Sequence, residues 1–378
     1  MNDLVENRTT GAKENVLLRI QRGNPMDVST IDPLTDLRWR EFVERQAASC
    51  IFHHPAWLAA LWRTYGYRPL VLTTCKAGEP LQDGLVFCQV KSWITGKRLV
   101  SLPFSDFCNV LTESNDGRVR LLASLCNSLG SEFEYAEIRL TGEDRTPPGD
   151  AWTIGSQFLH HALPLEASQE LLFHSLHKSC IQRKVRRAER ERLQYISGRS
   201  EPLLHQFYSL LLRTRRRHRI PPQPFTWFRN LADCMQDRLL VHLALKAGQP
   251  TAGILTLSHR QTILYKYGCS DERFNQLGGM PFLFWQVIQT AKADGKHKLD
   301  LGRSETSNAG LVAFKEHLGA KRSSLTNWTC KRASAQELRP QRIVRMGRRL
   351  MPRLPAAILR LPESFLAASG GLFYRHMD

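Results

Sequence analysis

Residues 299–320 read LDLGRSETSNAGLVAFKEHLGA, a short strand, a polar turn and a short helix in close succession. Leu299-Asp300-Leu301 alternates apolar and polar positions as a half-buried strand does. Gly302 breaks the run, and Arg303, Ser304 and Glu305 place polar groups just past the strand end. Ser307 and Asn308 suit the N-cap of a helix. Leu311, Phe314 and Leu318 share one helical face, and Gly319 is a C-terminal stop. At about 100° per residue Lys315 projects roughly 40° from Leu311, inside the apolar arc. One reading packs only its stem on the core, with the ammonium in water. The other turns the ammonium toward an anion or a carbonyl.

The segment before it continues the alternation. Thr262–Gly268 (TILYKYG) reads as a strand with Tyr265 and Tyr267 on one face. A polar loop, DERFNQLGG (271–279), runs into a helix opened by Met280-Pro281 and striped by Leu283, Phe284, Val287, Ile288 and Ala291. Gly278 and Gly279 at such a helix start expose backbone N–H groups at the positive end of a dipole, a site suited to phosphate. Most Gly-Gly loops are simply turns, and that reading stays open.

The 378 residues suggest about two domains. With 42% hydrophobic residues the chain can bury real cores, and no apolar stretch reaches the length of a membrane span. The N-terminus has acids early and no apolar core, so it does not read as a secretory signal. Nine scattered cysteines without a CxxC pair fit reduced cytosolic thiols better than a disulfide framework or a zinc site. The expected location is therefore the cytoplasm.

The net charge of +18 is concentrated. Residues 176–193 hold seven Lys and Arg, and residues 213–219 hold five Arg. In residues 331–353 Lys331, Arg332, Arg339, Arg342, Arg345, Arg348, Arg349 and Arg353 stand against Glu337. Arg339, Arg342, Arg345 and Arg349 recur at helical spacing, with Ile343, Met346, Leu350 and Leu354 on another face. That is a basic amphipathic pattern suited to an anionic inner-membrane surface, or else to an ordinary packed helix. Such charge implies an anionic or phosphorylated substrate, tRNA, or acidic lipid.

Four regions are expected: a polar arm (1–29), two successive halves of alternating helices and strands (30–163 and 164–330), and the basic tail (331–378). The alternation specifies an α/β fold with a mixed central sheet in each half.

The ordered motifs YKYGCS, FLFWQVIQTAKADG, LDLGRS and GLVAFKEHLGA, with HHPAWLAALWRTYGYRPLVL (53–72), LVSLPFSDFCNVL (99–111) and LHKSCIQRKVRRAERERL (176–193), resemble the FemAB-like acyltransferases of the GNAT superfamily, in the branch tied to envelope and exopolysaccharide gene clusters. The resemblance covers roughly residues 30–335 and implies two tandem GNAT-like domains. It implies an N-acyltransferase acting on a cell-envelope or exopolysaccharide precursor by direct transfer. The co-substrate would be acyl-CoA, an acyl carrier protein or aminoacyl-tRNA, with no permanently bound cofactor. No heptad run long enough for a tRNA-binding coiled coil is present, which favours a thioester donor. The resemblance places Lys315 near the reacting carbonyl and assigns Lys178, Arg183 and Arg187 to anionic substrate.

Acyl transfer to an amine needs a proton acceptor and donors for the carbonyl oxygen. Asp106, in a turn directly after a strand, is the candidate acceptor or amine anchor; the alternative is a turn-forming Asp. Arg303 and Lys315 are candidates for a phosphate or the oxyanion. Asp300 reads as a structural partner of Arg303. Tyr265 and Tyr267 are proton donors to the leaving group or core aromatics. No covalent intermediate is required, so no cysteine is assigned as nucleophile. His53-His54 and His160-His161 do not converge as ligands, and no metal is assigned. The competing function is a non-catalytic RNA- or anionic-membrane-binding protein, although no zinc-finger, RRM or helix-turn-helix signature supports it.

Overall fold

A computed structural model describes residues 28–331, apart from 93–95, 131 and 143–146. The arm expected over 1–29 lies outside the described residues but for Val28 and Ser29, and the basic tail but for Lys331.

The first half runs β1 (Ser29–Ile31), α1 (Leu37–Arg45), a turn at Ile51–His53, α2 (Pro55–Tyr65), β2 (Arg68–Thr73), β3 (Leu85–Ser92), β4 (Gly96–Ser101), α3 (Asn115–Asn127), β5 (Tyr135–Thr141) and β6 (Trp152–Pro164). Its helices start where side chains can accept the orphan N–H groups: Asp36 caps α1, His54 caps α2 ahead of Pro55, and Ser114 caps α3. The second half runs α4 (Gln169–Ser175), a π-type turn (Lys178–Gln182), α5 (Arg183–Arg190), β7 (Gln194–Gly198), α6 (Glu201–Arg217), α7 (Phe225–Met235), β8 (Leu239–Lys246), β9 (Gln249–His259), β10 (Thr262–Ser270), α8 (Gly279–Ala293), β11 (Lys298–Glu305), α9 (Ala309–His317) and β12 (Lys321–Lys331). The helical stretch expected over 168–193 is split, because Leu176 is extended and His177 caps a new turn through its side chain.

The twelve strands among the described residues form one mixed sheet in the order β1-β2-β3-β4-β5-β12-β6-β11-β10-β9-β8-β7. Only β4·β5 and β10·β11 are parallel. The halves exchange their last strands. β6 follows β5 in the chain but pairs with β11 and β12, and β12 follows β11 but pairs with β5 and β6. Each half is thereby sewn into the other.

One core joins α1 and α2 of the first half to α6 and α7 of the second. Trp57 and Trp227, both fully buried, meet there edge to face at 5.3 Å. Such a pair contributes about 0.5–1.5 kcal/mol beyond its area burial. A second core lies beneath α4, α5 and α8, and a third beneath α3. Cys126 of α3 and Cys330 of β12 form a disulfide, which corrects the expectation of uniformly reduced thiols. No helix of the described residues is long and apolar enough to cross a membrane.

Candidate active site

β10 and β11 are paired in register only over Thr262–Leu264 and Lys298–Asp300. Beyond that point each strand bulges. β10 shifts register between Tyr265 and Tyr267 against β9, and β11 shifts between Asp300 and Arg303 against β6. Gly302 sits in the second bulge with φ 67°, a conformation costly to a residue with a Cβ. A bulge inserts an extra residue and re-aims the side chains that follow. Tyr265 therefore packs with the core beneath α8, 4.9 Å from the Phe284 ring, whereas Tyr267 joins the core beneath α7. The tyrosines do not share a face as simple alternation requires. Lys266 and Tyr267 instead lie on the side that meets the first half.

From that side comes the turn Leu102–Asn109. Buried Arg139 clamps it, donating to Leu102 O (3.2 Å) and Ser105 O (2.6 Å) while pairing with Glu137 (3.1 Å). Phe104 adopts φ 59° among the rings of Tyr65, Tyr67 and Trp227. His53 Nε2 donates to Asn109 O at 2.9 Å. Held this way, the turn carries Asp106 into the sheet. Lys266 Nζ donates to Asp106 Oδ2 and Oδ1 at 3.2 and 3.4 Å, and both residues are buried. Lys266 also lies 5.4 Å above the Phe52 ring. The Asp106 carboxylate rests on Gly302, where a Cβ would come within 3.2 Å of it.

Lys315 reaches the same glycine from α9. It is the buried side chain of that helix, and its Nζ donates to Arg303 O (2.8 Å) and Gly302 O (3.2 Å). The ammonium is therefore inside the protein and not at the end of a snorkelling stem. Arg303 is buried with its guanidinium 4.5 Å from the Phe158 ring. Asp300 does not pair with Arg303. Alternation along β6 turns His160 toward Asp300 instead, with Nε2 at 2.8 Å from Oδ1, which also accepts the Gly302 N–H at 2.8 Å. Burial pushes the Asp300 carboxyl up, but His160 and the Gly302 N–H outweigh it and hold the group below the ordinary range.

Tyr267 keeps its ring beside the cluster, 5.6 Å from Lys266 Nζ, with its hydroxyl turned into the core, and the other expected residues lie apart. Tyr267 accepts the Trp227 indole N–H at 3.0 Å, and the Tyr265 hydroxyl lies against Gly268. Lys178, Arg183 and Arg187 are exposed on the turn before α5 and on α5 itself. Gly278 (φ 81°) packs against the α5 backbone, where a Cβ would collide with the Lys184 carbonyl. Gly279 faces Ala252, 3.0 Å from a Cβ built there. Close packing thus accounts for the two glycines without a phosphate. Cys50 Sγ lies 3.1 Å from His53 Nδ1, but burial raises the thiol to about 12 and lowers the imidazole to about 4, so the neutral pair is favoured.

Lys266 and the Glu137–Arg139 clamp were not singled out from sequence, and His160 was weighed only as a metal ligand. The available signal was a polar or charged residue within an apolar strand run, as in ILYKYG and FLHHAL.

Residues 176–316 match the acetyltransferase (GNAT) domain family. No curated protein matches the sequence. Among solved structures the chain resembles FemX (12% identity, 84% of this chain and 99% of that one, TM-score 0.59). It also resembles L-PGS from Bacillus licheniformis (12%, 86% and 98%, TM-score 0.52). A third is a tandem GNAT protein from the clavulanic acid biosynthesis pathway (11%, 80% and 98%, TM-score 0.50). These likenesses show the fold: two GNAT-like halves joined in tandem. With the domain match, the protein is an acyltransferase.

Proposed function

We propose that the protein transfers an acyl or aminoacyl group directly to an amine on a cell-envelope or exopolysaccharide precursor. The observation that carries this reading is the delivery of Asp106 from the first half to the point where β10 and β11 part, against Lys266 and Gly302. The amine lone pair attacks the acyl carbonyl carbon, a C–N bond forms, and the C–S or C–O bond to the donor breaks. The amine proton passes to Asp106, and the donor leaves as a thiol or alcohol with a proton taken from solvent. Arg303 meets the charge developing on the carbonyl oxygen. Lys315 holds the turn on which Arg303 sits through its bonds to the Gly302 and Arg303 carbonyls.

Acyl-CoA is the favoured donor because the matched domain is an acetyltransferase domain. An acyl carrier protein or aminoacyl-tRNA would supply the same electrophile. The exposed Lys178, Arg183 and Arg187 are suited to a phosphorylated substrate. The basic tail would hold the enzyme on the inner face of the cytoplasmic membrane, where lipid-linked precursors are found.

The test is incubation of the full chain with acyl-CoA, acyl carrier protein or aminoacyl-tRNA and a panel of amine-bearing nucleotide- and lipid-linked sugars. Amide product is read by mass spectrometry and donor release by free thiol or tRNA. Amide should form, and Asp106→Asn should lower turnover by about 10²–10⁴ while the protein stays folded. Absence of amide with every donor, together with retention of RNA alone, would leave the non-catalytic binding protein as the surviving reading.

A further inference from the structure

Three side chains that the acyl-transfer reading does not use converge beside α9. The metal-binding atoms of His177, Cys180 and His317 all lie within 4.8 Å of one another. The backbone brings them together. His177 ends the extended link after α4, and its N–H donates to the His317 carbonyl at 2.9 Å. Its Nδ1 caps the π-type turn by accepting the Cys180 N–H at 3.2 Å, which folds residue 180 back over residue 177. The two imidazole rings are 4.2 Å apart. His177 is exposed and the other two are half-buried, so an ion could reach the cluster from solvent.

We propose that His177, Cys180 and His317 form a binding site for a zinc-class divalent ion, with a fourth position left to water. The donor set decides the ion. Two imidazoles and a thiolate suit a borderline metal such as Zn²⁺, whereas Mg²⁺ and Ca²⁺ require oxygen ligands that the cluster lacks. With bonds of about 2.0–2.3 Å, donors around one tetrahedral ion stand roughly 3.3–3.7 Å apart. The present spacing of at most 4.8 Å therefore closes by up to about 1.5 Å on binding. Coordination through His177 Nδ1 exchanges its bond to the Cys180 N–H for a bond to the ion. The Cys180 thiol becomes a thiolate and releases its proton to solvent, while both imidazoles bind neutral. The bound ion would pin the end of α9, two residues beyond Lys315, to the turn that precedes the basic helix α5.

The test uses the full chain stripped of metal and titrated with Co²⁺, then Zn²⁺. Co²⁺ should bind once per chain with a thiolate charge-transfer band and the visible bands of tetrahedral cobalt. It should release one proton and be displaced by Zn²⁺. Cys180→Ser should abolish the thiolate band, and His317→Gln should weaken Zn²⁺ binding by at least about tenfold. Cys75→Ser, at another half-buried cysteine, should change neither. If Cys180→Ser or His317→Gln does not fold by circular dichroism, His177→Gln at the exposed position supplies the comparison, with the same weakening expected. Cobalt binding without a thiolate band, a band that survives Cys180→Ser, or no binding would overturn the site. None of these readouts depends on acyl transfer.

Discussion

At the residue scale the Asp106–Lys266 pair carries the most consequence, because both charges are buried and 3.2 Å apart. Two such charges attract strongly in a medium poorer than water, yet desolvation cancels much of the gain. Removing one partner is different, since it strands the other. Lys266→Met should therefore destabilise the protein by about 3–5 kcal/mol at neutral pH, read from the urea midpoint at unchanged m-value. Adding Asp106→Asn to Lys266→Met should recover most of that loss, since no buried charge remains. A loss below about 1 kcal/mol for Lys266→Met would mean that the pair is solvated and the site open to water. Only half of this pair was legible in the sequence. Asp106 stood out as an acid in a turn after a strand. Lys266 did not, because its partner lies 160 residues away and local periodicity is silent about that distance. Lys315 was legible for the opposite reason: its inward direction follows from helical angle alone, and it is indeed the buried residue of α9.

At the scale of elements, the helices and most strands follow from caps and apolar spacing, whereas the bulges do not. A bulge is defined against a neighbouring strand, so TILYKYG read by itself puts Tyr265 and Tyr267 on one face, and the β9 register separates them. The paired glycines show the same limit. Their sequence suits a phosphate loop, yet Gly278 lies where the α5 backbone approaches, which only tertiary packing reveals. Gly278→Ala and Gly295→Ala form a controlled comparison. Both glycines have positive φ (81° and 66°), but a Cβ at Gly295 meets nothing within 4 Å, while one at Gly278 meets the Lys184 carbonyl. Gly295→Ala should cost about 1 kcal/mol, the penalty of a left-handed alanine. Gly278→Ala should cost at least about 2 kcal/mol more, because α5 must move. Since α5 carries Arg183 and Arg187, its KM for a phosphorylated acceptor should also rise. Equal losses for the two variants in thermal unfolding would show that α5 does not bear on the α8 start.

At the scale of the whole molecule, alternating helix and strand signals made the α/β class and its two halves readable, but not the exchange of β6 and β12. Strand partners are chosen by the assembled sheet, and nothing in Trp152–Pro164 announces that it will lie beside β11. The exchange and the shared core beneath α1, α2, α6 and α7 couple the halves, so unfolding should be a single transition. Acid should weaken that transition through buried histidines. Burial lowers His53 to about 4 and His242 to about 4. The same side chains in the unfolded chain titrate near 6.5. Between those values the unfolded state holds a proton that the folded state lacks, so stability falls as pH drops from about 6.5 to about 4. Below that window both states are protonated and these two groups add no further slope. Near pH 5 these two histidines together take up about two protons on unfolding and contribute a slope of about 2.7 kcal/mol per pH unit, to which His54, His161 and His259, also lowered by burial, add in the same direction. Asp300 acts elsewhere: its carboxyl is held below the ordinary range, so its contribution is lost only as pH falls below about 4. His53→Gln should remove about one of the two protons, because glutamine can still accept the Cys50 N–H and donate to the Asn109 carbonyl without titrating. Urea midpoints collected from pH 7 to pH 4 for the two proteins would separate the contributions. A flat wild-type profile across that range would mean that His53 and His242 are not held neutral by burial, and that water reaches the interior on which the Asp106 turn rests.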